Sequence, residues 1–332
     1  LGRRTISPNN EWLAYTIDSL GRTMYSLYFK NLFTQKTLNY SITNVESNIA
    51  WANDSKTIYY TSQNDITLNP EKVYRHVLGS DTKQDQLVYY EKDGGYWSGV
   101  YRSKSGDFII IYSEGHSSSD YQILSSDDLK GDFKNFTKRQ KNHKYSIAHF
   151  EDKFYVLTNL DAPNNRLMET SSSKTNQSYW EEVIAHRNKE QILEMEVFSH
   201  HLVLNERIDG LSVLRIFMSN FEEDYYVQFD EKTFSSWISR NREFDTNILR
   251  YVYTSMTMPY STYDYNMDKK EKVLLKRQEV IGGYSFQEYQ SERIYAESRD
   301  GKKIPISLVY KKSLRNLKAP QNLILYGYGA YG

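Results

Sequence analysis

Hydrolysis of a peptide or ester bond needs a nucleophile, a base to take its proton, an acid to orient the base, and donors aimed at the oxyanion. The 332-residue chain contains no cysteine, which removes thiolate nucleophiles, thiolate metal sites and disulfides together. A serine nucleophile of the α/β-hydrolase kind sits on a Gly-x-Ser-x-Gly elbow, and that pattern is absent. Two stretches come near it. Gly95-Tyr96-Trp97-Ser98-Gly99 carries its serine one place late, and Gly115-His116-Ser117-Ser118 lacks the closing glycine. Both read as turns. His200-His201, placed on consecutive strand positions, point to opposite faces and do not ligate one metal. No metal and no cofactor are expected. The acidic groups Asp127-Asp128 and Glu222-Glu223-Asp224 read as solvated turns. The strongest chemical signal is Leu323-Ile324-Leu325-Tyr326-Gly327-Tyr328-Gly329-Ala330-Tyr331-Gly332. An apolar β run passes straight into alternating Tyr and Gly, and a buried strand with a Gly-rich turn is how an α/β fold delivers a catalytic loop.

The elements that would position such a loop are β-strands. Tyr supplies 30 residues and aromatics reach 15%, a composition suited to pleated, half-buried surfaces. Amphipathic helical periodicity beyond two turns is not found. Charge is balanced at 42 basic and 42 acidic residues, so there is no electrostatic case for nucleic acid or a membrane surface as partner. The basic stretch from Lys130 to Lys144 reads as a solvated loop. No apolar run reaches the roughly 18 residues of a membrane-spanning helix. No signal peptide is visible and the chain does not begin with Met, so a cytoplasmic protein with sequence upstream of Leu1 is expected, a periplasmic one remaining open.

A polar turn followed by a short apolar strand recurs along the chain. With Leu13, Ile58, Ile109, Phe154, Leu202 and Leu249 as anchors, the intervals are 45, 51, 45, 48 and 47 residues. A period of about 40 to 50 residues with several strands per unit marks a β-propeller, each blade burying its faces against its neighbours. A large β-sandwich with coincidental spacing is the alternative. Later strands are readable too: Ser26-Leu27-Tyr28-Phe29, a turn, then Thr37-Leu38-Asn39-Tyr40, like an outer hairpin. Six anchors give six units, and the next interval lands on Ile294.

Beyond the repeat, Arg299-Asp300-Gly301-Lys302-Lys303-Ile304-Pro305-Ile306-Ser307-Leu308-Val309-Tyr310 holds an Asp-Gly turn between apolar strands, a hairpin signal. Together with Leu325-Tyr326-Gly327-Tyr328-Gly329 it resembles the prolyl oligopeptidase family of serine peptidases, in its oligopeptidase B branch. Further matches run upstream: Tyr74-Arg75-His76-Val77-Leu78-Gly79, Gln84-Asp85-Gln86-Leu87-Val88-Tyr89-Tyr90-Glu91-Lys92-Asp93, Leu249-Arg250-Tyr251 and Tyr253-Thr254-Ser255-Met256-Thr257-Met258-Pro259.

The resemblance implies an all-β propeller over residues 1–279 and the first strands of an α/β-hydrolase domain over 280–332, with Ile294 in the latter. In the family the ring has seven blades, so six of seven are expected here, starting at the second. It implies short peptides as substrates, cleavage after Lys or Arg, and a propeller that gates access. A post-proline peptidase and a free-standing propeller used as a binding scaffold are the alternatives. Ser, Asp and His of the triad are expected beyond Gly332, making this chain inactive by itself, with the remainder of the hydrolase domain as its partner. One catalytic element is carried over: the second Tyr of Tyr-Gly-Tyr-Gly maps onto Tyr328 as an oxyanion donor, supported by Tyr326, Gly327 and Gly329. A core aromatic is the simpler view of Tyr328. The turn Asp18-Ser19-Leu20-Gly21-Arg22-Thr23-Met24-Tyr25 is a candidate interdomain contact. Many relatives place Glu where Thr23 stands, so an ion pair through Arg22 is the replacement, against the simpler view of Arg22 as a surface residue.

Overall fold

In the computed structural model, residues 1–218 and 223–328 are described. The first blade holds β1 (Arg4–Ile6), β2 (Trp12–Ile17) and β3 (Tyr25–Asn31); the second holds β4 (Ile42–Trp51), β5 (Thr57–Gln63), β6 (Pro70–Val77) and β7 (Gln86–Tyr90). The third is β8 (Tyr96–Arg102), β9 (Phe108–Gly115), β10 (Ser119–Ser125) and β11 (Lys134–Asn135), and the fourth β12 (Tyr145–Phe150), β13 (Lys153–Thr158), β14 (Arg166–Ser171) and β15 (Glu181–Ile184). The fifth is β16 (Glu190–Val197), β17 (His201–Ile208), β18 (Leu211–Met218) and β19 (Asp224–Tyr226), and the sixth β20 (Phe234–Ile238), β21 (Ile248–Ser255), β22 (Ser261–Asn266) and β23 (Glu271–Arg277). A separate hairpin, β24 (Tyr289–Glu297) and β25 (Lys303–Lys311), follows.

Strands within each blade are antiparallel, and every repeat anchor falls on the second strand of a blade. Successive side chains on a strand face opposite sides of the sheet, so each second strand feeds two interfaces. Ile58 and Tyr60 pack with Ala14, Leu27 and Phe29 of the first blade, while Tyr59 between them packs with Val100 and Ile109 of the third. Ile110 turns to Phe154 and Val156, Tyr155 and Leu157 turn to Leu202 and Leu204, and Val203 turns to Leu249 and Tyr251. Five apolar clusters thus fill the five interfaces between six consecutive blades. Each fully buried large side chain contributes about 1.5–3 kcal/mol of transfer free energy, so blade stacking carries the fold. Strands β5, β13 and β17 are buried almost throughout because both faces are covered. In β2 burial alternates, and Leu13 is only half-buried, because one face of the first blade is covered.

The expected outer strand Thr37–Tyr40 is reduced to a single bridge, Lys30 to Thr37. Tyr40 instead turns toward the second blade, where its hydroxyl meets His76 Nε2 at 3.0 Å and accepts the Gly79 N–H at 2.8 Å. Those two bonds draw the chain away from β3.

Antiparallel order sorts the connections onto two faces of the ring. Turns between the second and third strands, and the loops between blades, share one face. Turns between the first and second strands lie on the other.

Candidate functional site

Hairpin β24–β25 pairs in continuous register from Tyr289–Lys311 to Glu297–Lys303. Its turn is closed by Ser298, whose Oγ accepts the Lys302 N–H at 3.1 Å, and Gly301 sits at φ +79°, a left-handed conformation glycine adopts without Cβ strain. The Asp-Gly signal is therefore structural and local.

The hairpin docks at its base on the face carrying the second-to-third strand turns. Ser291 Oγ donates to Glu231 at 2.7 Å, the Tyr284 hydroxyl donates to the Thr257 carbonyl, and the Arg293 guanidinium donates to the Asp209 carbonyl. A cavity of about 630 Å³ lies between the sixth blade and the hairpin, walled by Phe229, Tyr251, Tyr253, Tyr263, Phe286 and Tyr289. The Asp18–Tyr25 turn joins β2 to β3, so Arg22 emerges on this same face. There Asp18 accepts the N–H groups of Leu20, Gly21 and Thr23 at 3.0, 2.8 and 2.7 Å, and Thr23 is held at φ +60°. Although slight burial acts to raise the Asp18 pKa, those bonds hold its carboxyl below the usual range. Arg22 is exposed and pairs with no carboxylate among the described residues.

After β25 the chain makes one 3-10 turn, Lys312–Leu314, and then runs without regular structure to Tyr328. The strand expected over Leu323–Leu325 is not formed: Ile324 is 94% exposed and Leu325 81%. An apolar run becomes a buried strand only where neighbouring strands supply hydrogen-bond partners and cover, and β24–β25 pair only with each other among the described residues. Tyr326 and Tyr328 are exposed, and a Cβ added at Gly327 would meet open space. Gly329 lies outside the described residues. The Tyr328 hydroxyl, which can donate or accept a hydrogen bond, is carried on this exposed segment.

The near-elbows are structural. Ser98 is on β8 rather than in a turn, buried, with its hydroxyl 2.9 Å from that of Ser113, and Gly99 is required because a Cβ there would overlap the Tyr112 ring. Ser118 closes the β9–β10 turn, its Oγ 2.5 Å from the Tyr96 hydroxyl. His200 lies in a turn rather than on the strand, and His201, first residue of β17, is buried with Nε2 3.0 Å from Asp268 of the sixth blade.

Three polar assemblies escaped the sequence reading. Asp85 Oδ1 meets His76 Nδ1 at 2.6 Å, and His76 Nε2 meets the Tyr40 hydroxyl, an acid–base–hydroxyl order resembling a triad. It is a cross-brace between the first and second blades. His76 is fully buried, the Tyr60 hydroxyl takes the other Asp85 oxygen at 2.9 Å, and Tyr40 already accepts from Gly79. Burial raises the Tyr40 and Tyr60 pKa values, keeping both phenols neutral. The second is Arg139, from the stretch read as a solvated basic loop. It reaches Glu91 at 2.5 Å and Asp120 at 3.3 Å and lies 4.1 Å from the centroid of the Tyr96 ring. Burial alone would raise Glu91, but the bond from Arg139 holds it below the usual carboxylate range. Burial pushes the adjacent Tyr89 phenol up to about 12. The third is Lys104, on the opposite face of the ring. From the third blade it reaches Glu196 of the fifth at 2.8 Å, with its ammonium 3.5 Å from the centroid of Phe198. His76 and Asp85 stood in a recognised segment, but nothing local announced their pairing.

The family described as "Prolyl oligopeptidase, N-terminal beta-propeller domain" matches residues 1–278. The chain belongs to the prolyl oligopeptidase family. Among relatives in this family, dipeptidyl aminopeptidase BI of Pseudoxanthomonas mexicana is 37% identical over all of this chain and 46% of its own length. Protease 2 of Moraxella lacunata is 31% identical over 96% of this chain and 46% of its own. The chain thus spans a little under half the length of these relatives. Oligopeptidase B from Trypanosoma brucei, solved with covalently bound antipain in a closed form, superposes with a TM-score of 0.82 at 27% identity, covering 96% of this chain and 46% of that one. Oligopeptidase B from Leishmania major shares the fold at a TM-score of 0.84 and 22% identity, with the same coverage. The stacked blades of residues 1–278 are therefore the family's propeller fold in this sequence.

Proposed function

We propose that this chain forms the propeller and the opening strands of the hydrolase domain of a serine peptidase that cleaves short peptides after Lys or Arg. The observation that carries this reading is the family match over residues 1–278 in one chain with the β24–β25 hairpin and the Tyr326-Gly327-Tyr328-Gly329 segment. The sequence holds no Gly-x-Ser-x-Gly elbow, so the proposal places nucleophile, acid and base on chain beyond Gly332. Tyr328 serves as one oxyanion donor, and the propeller admits flexible peptides while holding back folded proteins. Removing one such donor costs about 2.7–4 kcal/mol of barrier, roughly 10²–10³ in kcat.

The test compares the 332-residue chain with the product of its whole reading frame on a blocked Arg-containing fluorogenic peptide. Turnover by the whole product, abolished by a serine-directed phosphonate, is expected, with none from the 332 residues. Tyr328→Phe in the whole product should lower kcat by the factor above and leave KM little changed. Serine-inhibitor-sensitive turnover by the 332-residue chain, or an unaffected Tyr328→Phe variant, overturns the assignment.

A second reading has its own support, since the relative at 37% identity is a dipeptidyl aminopeptidase. On that reading dipeptides leave a free N-terminus. Blocking the substrate's amino group then abolishes turnover, whereas cleavage after Lys or Arg tolerates the block.

A further inference from the structure

None of the five apolar clusters includes a residue of β24 or β25. The hairpin is half-buried at its base, around Tyr289–Arg293 and Leu308–Lys311, and mostly exposed toward its turn. Among the described residues β24 and β25 pair only with each other, so within these residues the hairpin is held at its base. Glu231 is at the centre of that contact. It lies in the loop joining β19 to β20, and its carboxylate accepts three hydroxyl donors. Ser255 and Thr257, at the end of β21 and in the turn after it, donate at 2.7 and 2.8 Å, and Ser291 of β24 donates at 2.7 Å. Ser255 also receives the Thr257 and Met258 N–H groups at 3.1 and 2.8 Å, which fixes the turn that presents it. The first two donors belong to the sixth blade and the third to the hairpin, 60 residues away in sequence. Beside this contact lies the cavity of about 630 Å³, where side chains of blade and hairpin do not close-pack.

We propose that Glu231 is a latch: one carboxylate, preset by two blade hydroxyls, captures Ser291 and fixes the hairpin on the sixth blade, and the hairpin swings as a unit about its base when that bond is lost. The preset matters because Ser255 and Thr257 hold the carboxylate in place before Ser291 arrives, so little side-chain entropy is lost on capture. The Tyr284 and Arg293 bonds to blade carbonyls flank the latch and limit the motion to a swing about the base. The inference stands apart from the peptidase reading, since it rests on contacts within this chain.

Hydrogen–deuterium exchange on the full 332-residue chain tests it. A hydrogen bond to a charged group is worth about 1.5–3 kcal/mol, or roughly 10- to 100-fold in an opening equilibrium. Ser291→Ala, which leaves Ser255, Thr257 and Glu231 intact, should speed exchange of the β24 and β25 amides by that factor and leave the first five blades unchanged. Glu231→Gln retains one acceptor oxygen and should give a smaller, equally confined increase. Glu231→Ala should match or exceed Ser291→Ala in the hairpin. If Ser291→Ala exchanges like the unaltered chain, or if Glu231→Ala accelerates exchange evenly through all blades, Glu231 is only a brace of the sixth blade and the latch is overturned.

Discussion

The Lys104–Glu196 pair spans two blades that are not neighbours, the third and the fifth, and breaking it tests how the stack is tied beyond adjacent blades. The side chains are 13% and 22% exposed, so this is a largely buried pair. Burial lowers the Lys104 pKa and raises that of Glu196, each opposed by the partner's charge. Removing one member of a buried pair typically costs 3–5 kcal/mol because the other charge is left uncompensated. Partial water access and the remaining Phe198 contact place Lys104→Met at about 2–3 kcal/mol. At about 2–4 °C per kcal/mol for a chain of this size, the melting temperature should fall by roughly 4–12 °C. The pH dependence separates charge from packing. A carboxyl whose folded pKa is raised contributes stability that is present below its unfolded value of 4.5 and lost as pH rises through the folded value. Without Lys104 the carboxyl rises further, so the deficit of Lys104→Met should be largest near pH 8 and shrink toward pH 5. Glu196→Gln strands an ammonium instead, and its deficit should persist between pH 5 and 8. The double variant Lys104→Met/Glu196→Leu should recover most of the loss. Urea midpoints across pH compare these proteins, with Glu196→Leu added as the single variant that closes the cycle. A loss under about 0.5 kcal/mol in either single variant, or a Lys104→Met deficit flat in pH, refutes the reasoning.

Two further outcomes follow from the packing. Gly99→Ala places a Cβ into the Tyr112 ring and should cost about 1–3 kcal/mol of overpacking, with Tyr112→Leu restoring part of it in the same chain; equal urea midpoints for Gly99→Ala and the parent would contradict the contact. Burial lowers the pKa of His143, His149 and His201, so each favours folding fully above the unfolded value of 6.5 and loses that contribution as pH falls through and below it. The urea midpoint should therefore drop between about pH 6.5 and 5, and a His149→Gln/His201→Gln variant should show a shallower drop; a midpoint unchanged over that range would count against these buried neutral imidazoles.

The elements were more legible than their partners. Ile58, Ile109, Phe154, Leu202 and Leu249 recur because every second strand in a stacked blade must be apolar on both faces, and that demand repeats with the blade. The Asp300-Gly301 turn was readable because its geometry is decided within a few residues. Thr37–Tyr40 was misplaced because its fate rests on His76 and Gly79, in another blade. Arg139 looked like one solvated charge among several, and only the fold brings Glu91, 48 residues away, to its guanidinium.

Composition and periodicity by themselves determined an all-β chain of six stacked units, and the Tyr-Gly segment marked where catalytic chemistry was to be sought. Tertiary structure alone decided which polar groups meet. Lys104 and Glu196 are 92 residues apart, Ser291 and Glu231 60, and Asn9 and Ser55 46. The physical reason is one of range. A strand's burial is a property of its own alternating side chains, repeated at a fixed period. A charge or hydroxyl at a blade's end acquires its role from whichever turn the stacked blades carry to within about 3 Å.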